Sequence, residues 1–277
     1  MLARGYLDRA LRDELLQEVH RRRILAIKTP SATELLSGAG LPPDPWQSAV
    51  LEAPEKLLLL NCARQVGKST VLAALALQQA AVKPHSLVLC VAPALRQSAE
   101  LLRKIADLYH ESAAELPALK LQSALHLEFV HGGRVAVVPA NESRGVRGYS
   151  APDLVLFDEA SRIPDEVYHA ARPMLAVGHG RIVMASTPSG RRGEFFRQWD
   201  SGEGFRRWHV TADDCPRITT AFLDAERLTL GDRLFAQEYS GDFSAATGSV
   251  FDMHAFDSAL VDGSSNLFDA VIFGRGR

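Results

Sequence analysis

One stretch narrows the possible folds of this chain more than any other. Residues 57–60 are four leucines, residues 61–67 read Asn-Cys-Ala-Arg-Gln-Val-Gly, and Lys68-Ser69-Thr70 then opens a long helix-forming segment. A strand, a tight loop and a helix N-terminus in that order bring backbone N–H groups and a helix dipole to one point, which suits a polyphosphate. In that setting Lys68 is placed to reach β- and γ-phosphates, and the Ser69 hydroxyl to ligate Mg²⁺. The usual spacing, GxxxxGK[ST], is kept except at its first position, where Cys62 replaces glycine. The plain alternative is a loop that merely ends in a helix cap.

The surrounding pattern fits a sheet with helices on both sides. Strands are expected at 56–61, 86–92, 154–157, 182–185 and 205–211, and helices at 68–82 and 95–112. Residues 125–139 read as a hairpin turning at Gly132-Gly133, and 219–239 as a pair of helices. The runs at 154–157 and 182–185 are wholly apolar, as in strands buried on both faces. Such βαβ alternation predicts an α/β fold with a mostly parallel sheet, whose ligands sit beyond the carboxyl ends of the strands. Three regions are expected: a helical region at 1–44 ending in a Pro-rich break at 41–45, a main domain at 45–252, and a loose tail at 253–277. Leu11, Leu15 and Val19 fall at helical spacing. His20 to Arg23 read as a basic patch or a solvated face.

Further chemistry-bearing residues fall at those strand ends. Asp158-Glu159 close the apolar run 154–157; there Asp158 suits the outer shell of a metal, and Glu159 suits a water beside a γ-phosphate. Ser186-Thr187-Pro188-Ser189-Gly190 follows the run 182–185; it is a good turn sequence, or its hydroxyls sense the γ-phosphate. Gln47 carries an amide able to pair with adenine, and its neighbour Trp46 reads equally well as a core anchor. Arg64, inside the loop, is placed to contact a γ-phosphate or to hold Glu159. Arg144 and Arg147 lie in a glycine-bearing loop before the acidic strand. They read as solvated, or as a finger for a neighbouring subunit. Arg191, Arg192, Arg197, Arg206 and Arg207, interleaved with aromatics, read as a phosphate-backbone grip or as a solvated helix.

Composition excludes some classes. The 277 residues carry a formal net charge of -2, so nothing in the total announces nucleic acid or an anionic membrane. Cys62, Cys90 and Cys215 form no CxxC pair, which leaves no zinc or disulfide framework and suits a reducing cytoplasm. The longest apolar stretch, 71–77, is too short to span a bilayer.

Taken together, Gln47, the run 64–70, Leu156-Phe157-Asp158-Glu159-Ala160 and Ser186 to Gly190 resemble the terminase large subunit family of tailed phages. So do Arg147-Gly148, Glu238 to Phe243 and Gly248 to Phe251. The likeness runs from about Gln47 to Asp252. It implies a P-loop NTPase of the additional-strand (ASCE) type. It also implies ATP and Mg²⁺ as ligands, with hydrolysis driving double-stranded DNA into a capsid. The nucleotide-binding residues would be Gln47, Arg64, Gln65, Gly67, Lys68, Ser69, Thr70, Ser186 and Thr187. Ser69 and Asp158 would hold the metal, and Glu159, Arg147 and Arg64 would act in catalysis. The implied partners are the portal protein, the small terminase subunit and further copies in a ring, a pentamer. The implied location is the host cytoplasm and, transiently, the procapsid portal; no membrane is involved. Family members usually continue into a metal nuclease. Asp262 and Asp269 are the only acids after residue 257, so that activity is not expected here. The competing readings are a helicase-like ATPase and a non-catalytic nucleotide-binding module. Lys68, Asp158 and Glu159, all intact, weigh against the second.

Overall fold

A computed structural model of the chain describes residues 30–140, 143–178 and 180–243. The expectations for the N-terminal 29 residues, for Gly248 to Phe251 and for Asp262 and Asp269 fall outside the described residues.

Eight strands form one sheet in the order β3-β4-β5-β2-β6-β7-β1-β8. The central five are β1 (Leu57–Cys62), β2 (Leu87–Ala92), β5 (Arg134–Pro139), β6 (Leu154–Asp158) and β7 (Arg181–Ser186). They pair in parallel, as does the edge strand β8 (Arg206–Val210) with β1. The expected hairpin is β4 (His126–Phe129) against β5, antiparallel, with Gly132 at φ 82° in its turn. Beyond it lies β3 (Leu119–Gln122), which the sequence pattern hides. It is a four-residue edge strand, exposed over most of its length, and its Leu-Lys-Leu-Gln alternation is too short to announce a strand.

The strand residues alternate between two cores, as the period-two geometry of a strand requires. Leu58, Leu60, Leu154, Leu156, Val183 and Ala185 face one core; Leu59, Val155, Phe157, Ile182 and Met184 face the other. The first core holds α1 (Ala32–Gly38), α2 (Pro45–Leu51), α3 (Lys68–Val82) and α4 (Leu95–Glu111). Ten of the fifteen residues of α3 are buried. Its Ala-rich, all-round apolar surface is what a central helix needs. Leu35 and Leu36 of α1 are fully buried in the same cluster. The Pro-rich break is therefore brief: Asp44 and Pro45 already start α2, with Gln47 completing a capping box. The second core is closed by α5 (Asp165–Ala171) and α6 (Gly193–Asp200). The last helix, α7 (Thr220–Tyr239), is broken at Gly231 (φ 72°, ψ 160°), in keeping with the expected helical pair. No described helix is long and apolar enough to cross a membrane.

Phe157 sets the thickness of the second core. Its side chain is fully buried and its ring centre lies 5.9 Å from that of Tyr168. Phe157→Ala is expected to cost about 3–5 kcal/mol by urea unfolding. Leu228→Ala, at an 88% exposed position, is expected to stay within about 0.5 kcal/mol.

Candidate functional site

The parallel register delivers the expected residues to one edge. Asn61 stands beside Ser186, and Asp158 beside Ala185, so β1, β6 and β7 end level. The loop after β1 is pinned from outside: Ala63 N–H donates to the Val210 carbonyl and Arg64 N–H to the Glu238 carbonyl, each at 2.8 Å. Two of its residues have left-handed backbones, Gln65 (φ 59°) and Gly67 (φ 97°). Gly67 is required twice over, because a Cβ there would lie 2.5 Å from Gln47 Nε2. Cys62 is wholly buried and its thiol is pushed up to about 12, mainly by that burial. It packs as a small apolar group and stays protonated.

α3 begins at Lys68 without a side-chain cap, so its first N–H groups face the open end of the helix. Lys68 Nζ lies 2.8 Å from Glu159 Oε1. The Ser69 hydroxyl lies 3.2 Å from Asp158 Oδ2. Thr70 is tied to the loop by its backbone, N–H to the Gly67 carbonyl at 3.1 Å. Glu159 has φ 53°, a costly conformation for a non-glycine residue. It turns the chain sharply off β6 and leaves its carboxylate facing Lys68. Asp158 is buried, and burial first, then the Glu159 charge, holds its carboxyl above the usual range against the opposing pull of Lys68.

Other residues take roles that the sequence did not specify. Arg64 does not hold Glu159; its guanidinium pairs with Glu238 of α7. That partner is 174 residues away in sequence, and only the packing of α7 against the loop brings it there. Gln47 accepts the Asp44 N–H at 2.8 Å and approaches the Val66 carbonyl at 3.5 Å. It braces the loop while lying against Gly67. Asp44 is gripped by both terminal nitrogens of Arg217 at 2.8 Å, an ion pair that no motif announces. The Ser186 hydroxyl lies 2.8 Å from Ser161 Oγ and accepts the Ser161 N–H at 3.1 Å. Thr187 Oγ1 is buried without a hydrogen-bond partner among the described residues. Of these two, Thr187 keeps its hydroxyl uncommitted.

Arg147 is exposed and makes no ion pair among the described residues. Within the basic region, Arg197 bonds Asp165 and Glu194, Arg206 lies 5.3 Å over the Trp208 ring, and Arg207 bonds backbone carbonyls. Arg191 and Arg192 stay exposed.

The family model for "Terminase large subunit, T4likevirus-type, N-terminal" matches residues 59–258. This chain belongs to the terminase large subunit family. It is 26% identical over 231 residues to the terminase large subunit of Escherichia phage T5, an alignment covering 79% of this chain and 52% of that protein. Against the terminase large subunit of Thermus virus P23-45 the identity is 28% over 247 residues, covering 76% and 51%. The chain thus spans about half the length of these curated terminases. The large terminase ATPase domain of Thermus phage P74-26 superposes with a TM-score of 0.63 at 23% identity, over 75% of this chain and 96% of that one. The large terminase of another thermophilic bacteriophage, in complex with ATP-γ-S, gives a TM-score of 0.58 at 13% identity, over 73% and 53%. The terminase ATPase fold, a P-loop fold, is therefore shared.

The raised Asp158 carboxyl carries a stability consequence. A folded-state value above the unfolded one means that the folded chain holds the proton longer, so stability falls as pH rises past the ordinary Asp value near 4. Asp158→Asn removes that loss. Measured without nucleotide, the variant should melt higher than the parent at pH 7, and the gain should shrink as pH approaches 4. A variant that melts lower at pH 7 would contradict it.

Proposed function

We propose that this chain hydrolyses ATP and that, within a terminase, the hydrolysis drives double-stranded DNA into a viral capsid. The observation that carries the reading is the convergence at one strand edge of Lys68, Ser69, Asp158 and Glu159, with Lys68 2.8 Å from Glu159 and Ser69 3.2 Å from Asp158.

In this reading the open end of α3 and the loop 64–70 receive the phosphates, and Lys68 leaves Glu159 for the β- and γ-oxygens. Glu159, freed, orients a water and takes its proton as the water oxygen bonds to the γ-phosphorus. The bond from that phosphorus to the β,γ-bridging oxygen breaks, and ADP and orthophosphate result. Mg²⁺ fits Ser69 and Asp158: a buried carboxylate with one hydroxyl partner suits a cation completed by substrate phosphates. Bound there, it would neutralise phosphate charge. Gln47 lies on the side of Gly67 suited to the adenine. Thr187, with its uncommitted hydroxyl, is the better placed of the two sensor candidates. Arg64 exchanges Glu238 for the γ-phosphate. A ring of copies, the portal protein and the small terminase subunit are the partners of this reading, in the host cytoplasm.

Glu159→Gln tests the chemistry: ATP binding is expected to persist, with turnover reduced by ~10²–10⁴. Near-normal turnover would remove Glu159 from the role, and a wild-type chain without turnover would favour a non-catalytic module.

Arg147 is assigned to the ATP of the adjacent copy. Its loop joins β5 to β6, the strand that carries Asp158. Its guanidinium is exposed, makes no ion pair among the described residues and is available to a neighbour. Arginine fingers contribute on the order of 10³–10⁵ in rate. Arg147→Ala chains mixed with Glu159→Gln chains should regain activity wherever an intact Arg147 meets an intact Glu159. Mixed assemblies as inactive as either parent, beside active wild-type rings, would make Arg147 a loop residue.

A further inference from the structure

A cleft of about 450 Å³ opens beside the site, floored by Ser69, Asp158 and Glu159 and walled by α4. Its wall carries Arg96, Glu100 and Lys104, spaced four residues apart and therefore on one stripe of the helix. Glu100 bonds Arg103 at 2.7 Å. Arg96 and Lys104 are exposed and form no salt bridge among the described residues. Neither the chemistry of hydrolysis nor the brace around Gly67 uses them.

We infer that this cleft holds the cleaved orthophosphate on its way out, with Arg96 and Lys104 as the cations that receive it; the inference rests on the ATPase reading above. Direction is the first support. Gln47 and Arg217 mark one side of the phosphate loop, at Gly67, and neither lines the cleft. A triphosphate laid from Gly67 along the start of α3 would bring its terminal phosphate to Asp158 and Glu159, which share the cleft with Arg96 and Lys104. Charge is the second. A phosphate dianion freed beside two carboxylates is repelled by both, and two cations on the α4 wall stand ready to receive it. Charge-assisted contacts to phosphate are the strong ones, and these lie past the acids. The carboxylates in the floor argue against a resident anion and for a passing one.

The test uses the whole chain with Arg96→Ala, Lys104→Ala and the double variant, beside Arg103→Ala as control. Both target side chains are exposed, and thermal melts check that folding is unchanged. Acid-quenched single-turnover assays read cleavage of ATP. Titration of inorganic phosphate into the complex with ADP and Mg²⁺, followed by a fluorescent ADP analogue, reads product binding. Cleavage should stay within about twofold, while phosphate binding weakens roughly tenfold for each cation removed. Lys104→Arg should restore it, and Arg103→Ala should change neither. Unaltered phosphate binding in the double variant overturns the inference. So does cleavage that falls in step with binding, which would put both residues on the intact triphosphate. A wild-type chain that cleaves nothing instead brings down the ATPase reading beneath it.

Discussion

The level ending of β1, β7 and β6 is the constraint on which everything else depends. Asn61, Ser186 and Asp158 reach one edge because three adjacent parallel strands keep register over five paired positions in each ladder. Parallel strands need crossovers, and the crossovers here are helices that bury Leu, Val and Phe side chains on both faces. One edge thus becomes the place where loops leave the sheet, and a polar site there needs no polar group inside the core. The Lys68–Glu159 pair follows from this. It joins the residue after one strand's loop to the residue after another strand, 91 positions on in sequence. A triphosphate competes with Glu159 for the same ammonium.

A phosphate loop without its first glycine must be shaped by something else. Cys62 has no freedom to replace that glycine; it is packed, buried and neutral. The shape comes from outside, through Val210 of β8, Glu238 of α7, and Gln47 with the Asp44–Arg217 pair. The three holders come from separate parts of the chain. Left-handed backbone at Gln65 is tolerated because these contacts fix the chain on either side of it. The Arg64–Glu238 pair joins a half-exposed guanidinium to a buried carboxylate. The backbone bond from Arg64 N–H to the Glu238 carbonyl doubles the tie.

The sequence made the motifs and the central strands legible because each is local. Four leucines before Cys62 and four apolar residues before Asp158 announce buried strands without reference to anything distant. The helix 68–82 agrees with the structure at both ends, since its glycine start and its alanine-rich body lie side by side. What stayed hidden depended on distant partners. Glu238 and Arg217 belong to the site only after β8 and α7 have folded back over the loop. β3 pairs along an exposed edge, and its four residues, Leu119 to Gln122, are too few to stand out. α5 was obscured by charged residues, and α6 was legible only as the solvated-helix alternative for its basic stretch; Arg197, Asp165 and Glu194 in fact satisfy one another between the two helices.

Those two helices show how the strand ends are tied to the second face of the sheet. Ser161, two residues after Glu159, donates its hydroxyl to the Thr187 carbonyl at 2.8 Å and its N–H to Ser186. Four residues later, Asp165 caps α6 by accepting the Glu194 N–H at 2.7 Å, and Arg197 binds the same carboxylate from the next turn. The turn carrying Glu159 and the turn after β7 therefore share two successive sets of hydrogen bonds. Moving one alone would leave buried polar atoms unpaired, at about 1–3 kcal/mol for each. The same two turns are tied to the phosphate loop through Lys68–Glu159 and Ser69–Asp158, so the whole edge is one hydrogen-bonded unit.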